Sequence, residues 1–130
     1  MAIIIVPAIS SGIISYYPRF SSAFSAIIVA YIFIIVAPAE EILFRGIIQS
    51  TLIKKIGIFR GIILTSIIFG LAHLPNGALG INISLWNWKL ALIAMIAGLI
   101  LGWTYTRTKS IWNAAILHGI LSSAYFIFLN

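Results

Sequence analysis

Apolar residues run along this chain in long blocks separated by short polar interruptions, a continuity that suits helices buried on all sides or embedded in lipid rather than alternating strands. Met1 to Tyr17 is apolar but weakened as a regular helix by Pro7 and Ser10-Ser11-Gly12. Tyr16-Tyr17-Pro18-Arg19 combines interfacial aromatics, a helix breaker and a cation, and so marks a first membrane boundary. No Lys or Arg precedes this segment, so it reads as a retained spanning or re-entrant segment rather than a cleaved signal. Ser22 to Val36 is a clean apolar helix running into Pro38, where a kink is expected. The helical pattern resumes at Glu40 and continues to about Leu52, with Lys54-Lys55 and Gly57 as its stop. These two pieces are either one long broken helix or a span followed by an amphipathic half-span.

Arg60 opens the next apolar run, Gly61 to Leu74, and Pro75-Asn76-Gly77 closes it. Ala78 to Asn87 contains Gly and Asn and leads to an aromatic belt of Trp86, Trp88 and Lys89. Leu90 to Tyr105 is a further span in which Ala94, Gly98 and Gly102 form a small-residue ridge for a closely approaching helix. Arg107 to Ser110 is a loop with Ser110 as N-cap, and Ile111 to Leu129 is the last span. The expected fold is all-α, a polytopic membrane helix bundle of about five to six helices. Residues 1–20 form an N-terminal membrane segment and residues 21–130 the core.

Composition strengthens the membrane reading. The chain has 130 residues, 62% hydrophobic and only 8% charged, against roughly one quarter charged in soluble domains. Its net charge of +6 comes from Lys and Arg placed singly or in pairs between apolar runs, which reads as membrane topology and lipid-headgroup contact and argues against nucleic acid. If residues 22–53 cross once, Lys54, Lys55, Arg60, Arg107 and Lys109 fall on one face and Arg19 and Lys89 on the other, which makes the first face cytoplasmic. The absence of cysteine excludes disulfides, thiol nucleophiles and thiolate metal sites.

Against this background the two acidic residues of the chain, Glu40 and Glu41, demand an explanation, because ionisable groups at membrane depth are costly and need partners. Arg45 lies four residues after Glu41 and shares its helical face, whereas Glu40 points about 100° away. Both histidines, His73 and His118, also fall in apolar helices. Convergence of Glu40, Glu41, His73 and His118 on one polar pocket costs less than burying them separately. A carboxylate with two imidazoles suits general-base activation of water or a divalent metal site. The His-Glu-x-x-His helix is absent, and neither Gly-x-Ser-x-Gly nor a Ser–Lys pair points to a serine nucleophile.

The order Glu40-Glu41-x-x-x-Arg45, then Phe69-x-x-x-His73, then His118 in a final helix resembles the CPBP (Abi) group of intramembrane glutamic proteases, which process CAAX proteins and bacteriocins. The likeness covers roughly residues 38 to 123 and includes the basic turn before the last helix. It implies a four-helix catalytic core in which Glu40 activates water, His73 helps to hold that water and His118 stabilises the oxyanion. Glu41 would pair with Arg45, and Phe69 and Ser122 would support the site. Ser122 stands where the family pattern commonly has Asn or Asp. The implied function is hydrolysis of a peptide bond in a membrane-associated or lipidated peptide, in an integral, multi-pass membrane protein. No cofactor is expected, a divalent metal being the less favoured alternative. The expected partners are the peptide substrate and membrane lipids, not nucleic acid. A second reading is an inactive relative that serves as an immunity factor or as a subunit of a membrane-protein complex.

Overall fold

A computed structural model describes residues 22–74 and 87–128, and all of the regular structure in them is helical. The N-terminal segment 1–20, the turn Pro75-Asn76-Gly77, most of the stretch leading to the aromatic belt and Trp86 lie outside the described residues. The first rod comprises α1 (Ser22–Tyr31), α2 (Ala37–Glu41) and α3 (Ser50–Ile56), joined by π-helical turns at Ile32–Val36 and Ile42–Gln49. Then come α4 (Ile58–Ala72), α5 (Trp88–Thr108) and α6 (Ile111–Phe128).

The two pieces around Pro38 are one continuous helix: Ala26–Ile56 is 31 residues long. Its π turns explain how the helix survives the proline. Pro38 brings no N–H, so the ladder ahead of it cannot proceed in regular register. Instead the Ala37 N–H reaches back five residues to the Ile32 carbonyl. The second widened stretch, Ile42–Gln49, turns Phe44, Arg45 and Gln49 inward together, although regular helical spacing would splay Phe44 away from Gln49. The inward wall of this rod therefore carries Glu40, Glu41, Phe44, Arg45 and Gln49, all buried.

Helices α4 and α5 pack closely through the expected ridge. A Cβ on Gly98 would lie 3.1 Å from Ser66 Cα, one on Gly102 would lie 2.7 Å from Gln49 Oε1, and Ala94 is buried beside them. The opposing face of α4 contributes Gly70, where a Cβ would lie 2.7 Å from the Ala91 carbonyl oxygen. Thr65 and Ser66 fit this seam by donating their hydroxyls to the carbonyls of Gly61 and Ile62 one turn back. The connections are tight as well. Gly57 turns the chain between α3 and α4 with φ +87°, and Lys109 takes a left-handed conformation after α5. Asn87 caps α5 by accepting from the Leu90 N–H, while its own N–H donates to the Leu74 carbonyl. Ser110 Oγ accepts from the Asn113 N–H at the start of α6, as its N-cap position implies.

Polarity is inverted relative to a soluble protein. Ile34, Ile47, Phe59, Leu92, Ile96 and Trp112 face outward, while Glu41, Arg45, Gln49, Thr65 and Ser66 have no exposed surface. Two helices, Ala26–Ile56 and Trp88–Thr108, are long and apolar enough to cross a membrane. At about 1.5 Å per residue, the 15-residue α4 reaches only some 22 Å, less than a bilayer core of about 30 Å. His73 stands at its C-terminal end and is buried within the bundle.

The α4–α5 seam has no slack at Gly70, whose close neighbours include backbone. Gly70→Ala is expected to lower stability by about 1–3 kcal/mol through forced separation of the helices, read as a lower midpoint in detergent unfolding. An unchanged midpoint would show that the helices can part freely.

Candidate active site

Four elements supply the polar pocket. Glu40 and Glu41 end α2, Arg45 follows on the widened turn, His73 caps the end of α4 and His118 sits in the middle of α6. The structure brings all five together, and all are buried. Arg45 Nε donates to Glu41 Oε2 at 2.8 Å, the pair set by i,i+4 spacing. The other Glu41 oxygen, Oε1, lies 3.0 Å from His118 Nδ1. Glu41 is thus more than a partner for Arg45, since it also ties the first rod to α6.

Phe69 stands at the centre of these groups. Its ring makes an edge contact with Phe44 at 4.8 Å between centroids, tilts against His73 at 4.6 Å and meets His118 edge-on at 5.5 Å. The Arg45 guanidinium lies over it, 5.0 Å from the centroid. One aromatic side chain therefore sets the spacing of three ionisable groups and shields the Arg45–Glu41 pair from the surroundings.

The hydrogen bonds of the imidazoles fix their tautomers. His73 Nδ1 lies 2.8 Å from the Phe69 carbonyl oxygen, which can only accept, so Nδ1 carries the hydrogen. His118 Nδ1 faces Oε1 of the Glu41 carboxylate, whose other oxygen accepts from Arg45, and it carries its hydrogen for the same reason. In the neutral rings both Nε2 atoms are then acceptors. They converge on Glu40 Oε2, His118 Nε2 at 3.6 Å and His73 Nε2 at 3.8 Å, too far for direct hydrogen bonds. Glu40 Oε2 is buried and has no hydrogen-bond partner among the described residues. Three acceptors facing a common point suit a proton-bearing guest, and water is the simplest one.

The same donors invite comparison with a metal site, because metal-ligating histidines also direct their second ring nitrogen to a carbonyl or carboxylate. The spacing fits less well. Ligand atoms about 2.0–2.1 Å from a tetrahedral ion lie roughly 3.3 Å apart, shorter than either separation found here. Among the described residues no group of three His, Cys, Asp or Glu side chains is arranged to hold a metal ion.

A cavity of about 100 Å³ opens beside the pocket, lined by Tyr31, Val36, Phe69, His73, His118 and Ser122 together with aliphatic residues of α1, α5 and α6. Ser122 is half-buried on this wall, one turn beyond His118. Its neighbour Ser123 is buried, with a hydroxyl that lacks a partner among the described residues. Sequence reasoning missed Ser123 and also Gln49, whose Nε2 donates to the Gly102 carbonyl at 2.9 Å and to Thr106 Oγ1 at 3.1 Å. A signal for Gln49 existed: it is a polar residue in an apolar helix, four after Arg45 and eight after Glu41, on the face already marked by charge. Ser123 carried no such periodic mark.

A family model described as "Type II CAAX prenyl endopeptidase Rce1-like" matches residues 21–124. No curated protein and no solved structure matches the chain.

The two glutamates should respond differently to the same change. Glu41→Gln leaves the buried Arg45 guanidinium without its counter-charge and should cost about 3–5 kcal/mol. Glu40→Gln removes no hydrogen bond of Oε2 among the described residues and should leave the stability within about 1 kcal/mol of wild type. Parallel denaturation curves decide the matter, and equal losses would refute this division.

Proposed function

The chain belongs to the Rce1-like family of type II CAAX prenyl endopeptidases, and from that premise we propose that it is an intramembrane endopeptidase using Glu40 as general base. The observation that carries this reading is Glu40 Oε2, buried, free of protein hydrogen bonds and flanked by two imidazole Nε2 acceptors. In the proposed reaction a water donates one hydrogen to Glu40 Oε2 and is oriented through its second hydrogen by His73 Nε2. As the O–H bond breaks, the water oxygen attacks the carbonyl carbon of the scissile peptide bond, and the carbonyl electrons move to its oxygen.

His118 serves the charge that develops. The proton taken by Glu40 can pass to His118 Nε2, with Glu41 at Nδ1 stabilising the imidazolium formed. That Nε2–H then donates to the oxyanion or delivers its proton to the leaving nitrogen as the C–N bond breaks. A single oxyanion donor is worth about 2.7–4 kcal/mol in other hydrolases. Ser122, on the cavity wall, would supply a further and shorter donor. The substrate would be a membrane-associated or lipidated peptide entering through the apolar cavity of a multi-pass protein. The inactive reading, an immunity factor or a subunit of a membrane complex, draws its support from Ser122, whose single hydroxyl replaces a longer amide or acid.

Glu40→Gln should reduce peptide cleavage by about 10²–10⁴-fold while the purified protein keeps its unfolding midpoint. Undiminished cleavage would remove Glu40 from the mechanism. Exhaustive chelation should leave the wild-type rate unchanged, and a loss restored by added divalent ion would establish the metal alternative. Ser122→Asn should raise kcat if the oxyanion site is limiting; if neither protein cleaves any peptide of a lipidated and unlipidated library, the inactive reading prevails.

A further inference from the structure

The only acidic side chains of the chain are buried in the pocket, so no surface Lys or Arg has an acidic side chain to pair with. Five of those cations gather at one end of the bundle. Lys54 and Lys55 finish α3 and Arg60 lies in the first turn of α4, where the positive helix dipole adds to its charge. Arg107 and Lys109 finish α5, and the stacking of Phe59 on Trp103 brings the end of α5 beside the start of α4. All five are exposed, and Lys89 stands at the far end of α5.

This end also carries an aromatic platform. Phe59 and Trp103 are outward-facing and stacked, with ring planes 24° apart and centroids separated by 6.5 Å. The Arg107 guanidinium lies 5.6 Å from the Trp103 ring, one helical turn nearer the end of α5. Moving outward along the rod, the surface therefore changes from the aliphatic face of Ile96, Leu99 and Ile100 to stacked aromatics and then to exposed cations. That order matches the depth profile of a phospholipid: acyl chain, interface, headgroup.

We propose that Phe59, Trp103 and Arg107 form a binding site for an anionic phospholipid of the surrounding bilayer. Arg107 would engage the phosphate and headgroup, with Lys54, Lys55, Arg60 and Lys109 supplying the field. The stacked rings would carry the glycerol and upper acyl segments. A zwitterionic lipid presents the same phosphate with a compensating cation, so the site discriminates by net headgroup charge. A soluble anion would leave the aromatic platform without a partner.

The test uses the full chain in mild detergent, with native mass spectrometry comparing retention of phosphatidylglycerol and phosphatidylcholine. Wild type should prefer the anionic lipid, and Arg107→Gln should lose about fivefold of that preference, the contribution of one surface cation. Lys89→Gln at the opposite end should change it by less than about twofold. Wild type without a preference, Arg107→Gln with the preference intact, or Lys89→Gln losing as much as Arg107→Gln would each overturn the site. Photo-crosslinking of an anionic phospholipid to the unmodified protein gives a reading that does not depend on any variant folding. Adducts concentrated at the α4 start and α5 end support the proposal, and adducts spread over all apolar faces or confined elsewhere refute it.

Discussion

The structure depends on the burial of one carboxylate between two partners from different parts of the chain. Glu41 accepts from Arg45 on its own rod and faces the His118 ring nitrogen on α6, with both contacts at hydrogen-bond length. A buried ion costs several kcal/mol unless its geometry is satisfied on all sides. The position of α6 is therefore constrained electrostatically as well as sterically. Moving α6 away would leave Glu41 Oε1 without its partner, and rotating it would remove His118 from Glu40 at the same time. Gly119 adds the steric constraint, because a Cβ there would lie 2.6 Å from the Phe33 ring.

The second histidine is placed by a chain of close contacts. Gly102 and Gly98 on α5 admit Gln49 and Ser66, and Gly70 on α4 admits the α5 backbone. Together they draw the first rod, α4 and α5 within backbone distance. This packing seats Phe69 against Phe44 and Arg45, and His73 follows from Phe69 through the Nδ1 hydrogen bond to its carbonyl. In a medium where apolar burial gives no preference for helix contact over lipid contact, such close packing and polar cross-links hold helices together. The small-residue ridge and the polar pocket are thus two halves of one device.

Much of this was legible in the residues. Two acids in an apolar chain announced a pocket, and the i,i+4 spacing of Glu41 and Arg45 correctly anticipated their bond. The stop at Gly57, the N-cap at Ser110 and the ridge of Ala94, Gly98 and Gly102 were also readable, because each depends on local geometry. Other features were not. The choice between one long helix and a broken one turned on π-helical turns, whose widened register has no residue-type signature. The second contact of Glu41 was hidden because it spans 77 residues of sequence. Phe69 was marked by the family pattern, but its place beneath Arg45, His73 and His118 emerges only when three helices meet.

The pocket also constrains how charge moves. With both Nδ1 hydrogens committed, neutral His73 and His118 offer only lone pairs to Glu40. Behind His118 Nδ1 stands the full carboxylate of Glu41, whereas His73 Nδ1 meets only the dipole of the Phe69 carbonyl. The two histidines are thus unlike despite their similar distances to Glu40. In the reaction we propose, that contrast is the reason His73 is given the neutral guest and His118 the charge, a distinction set by what lies behind each ring rather than by what lies in front of it.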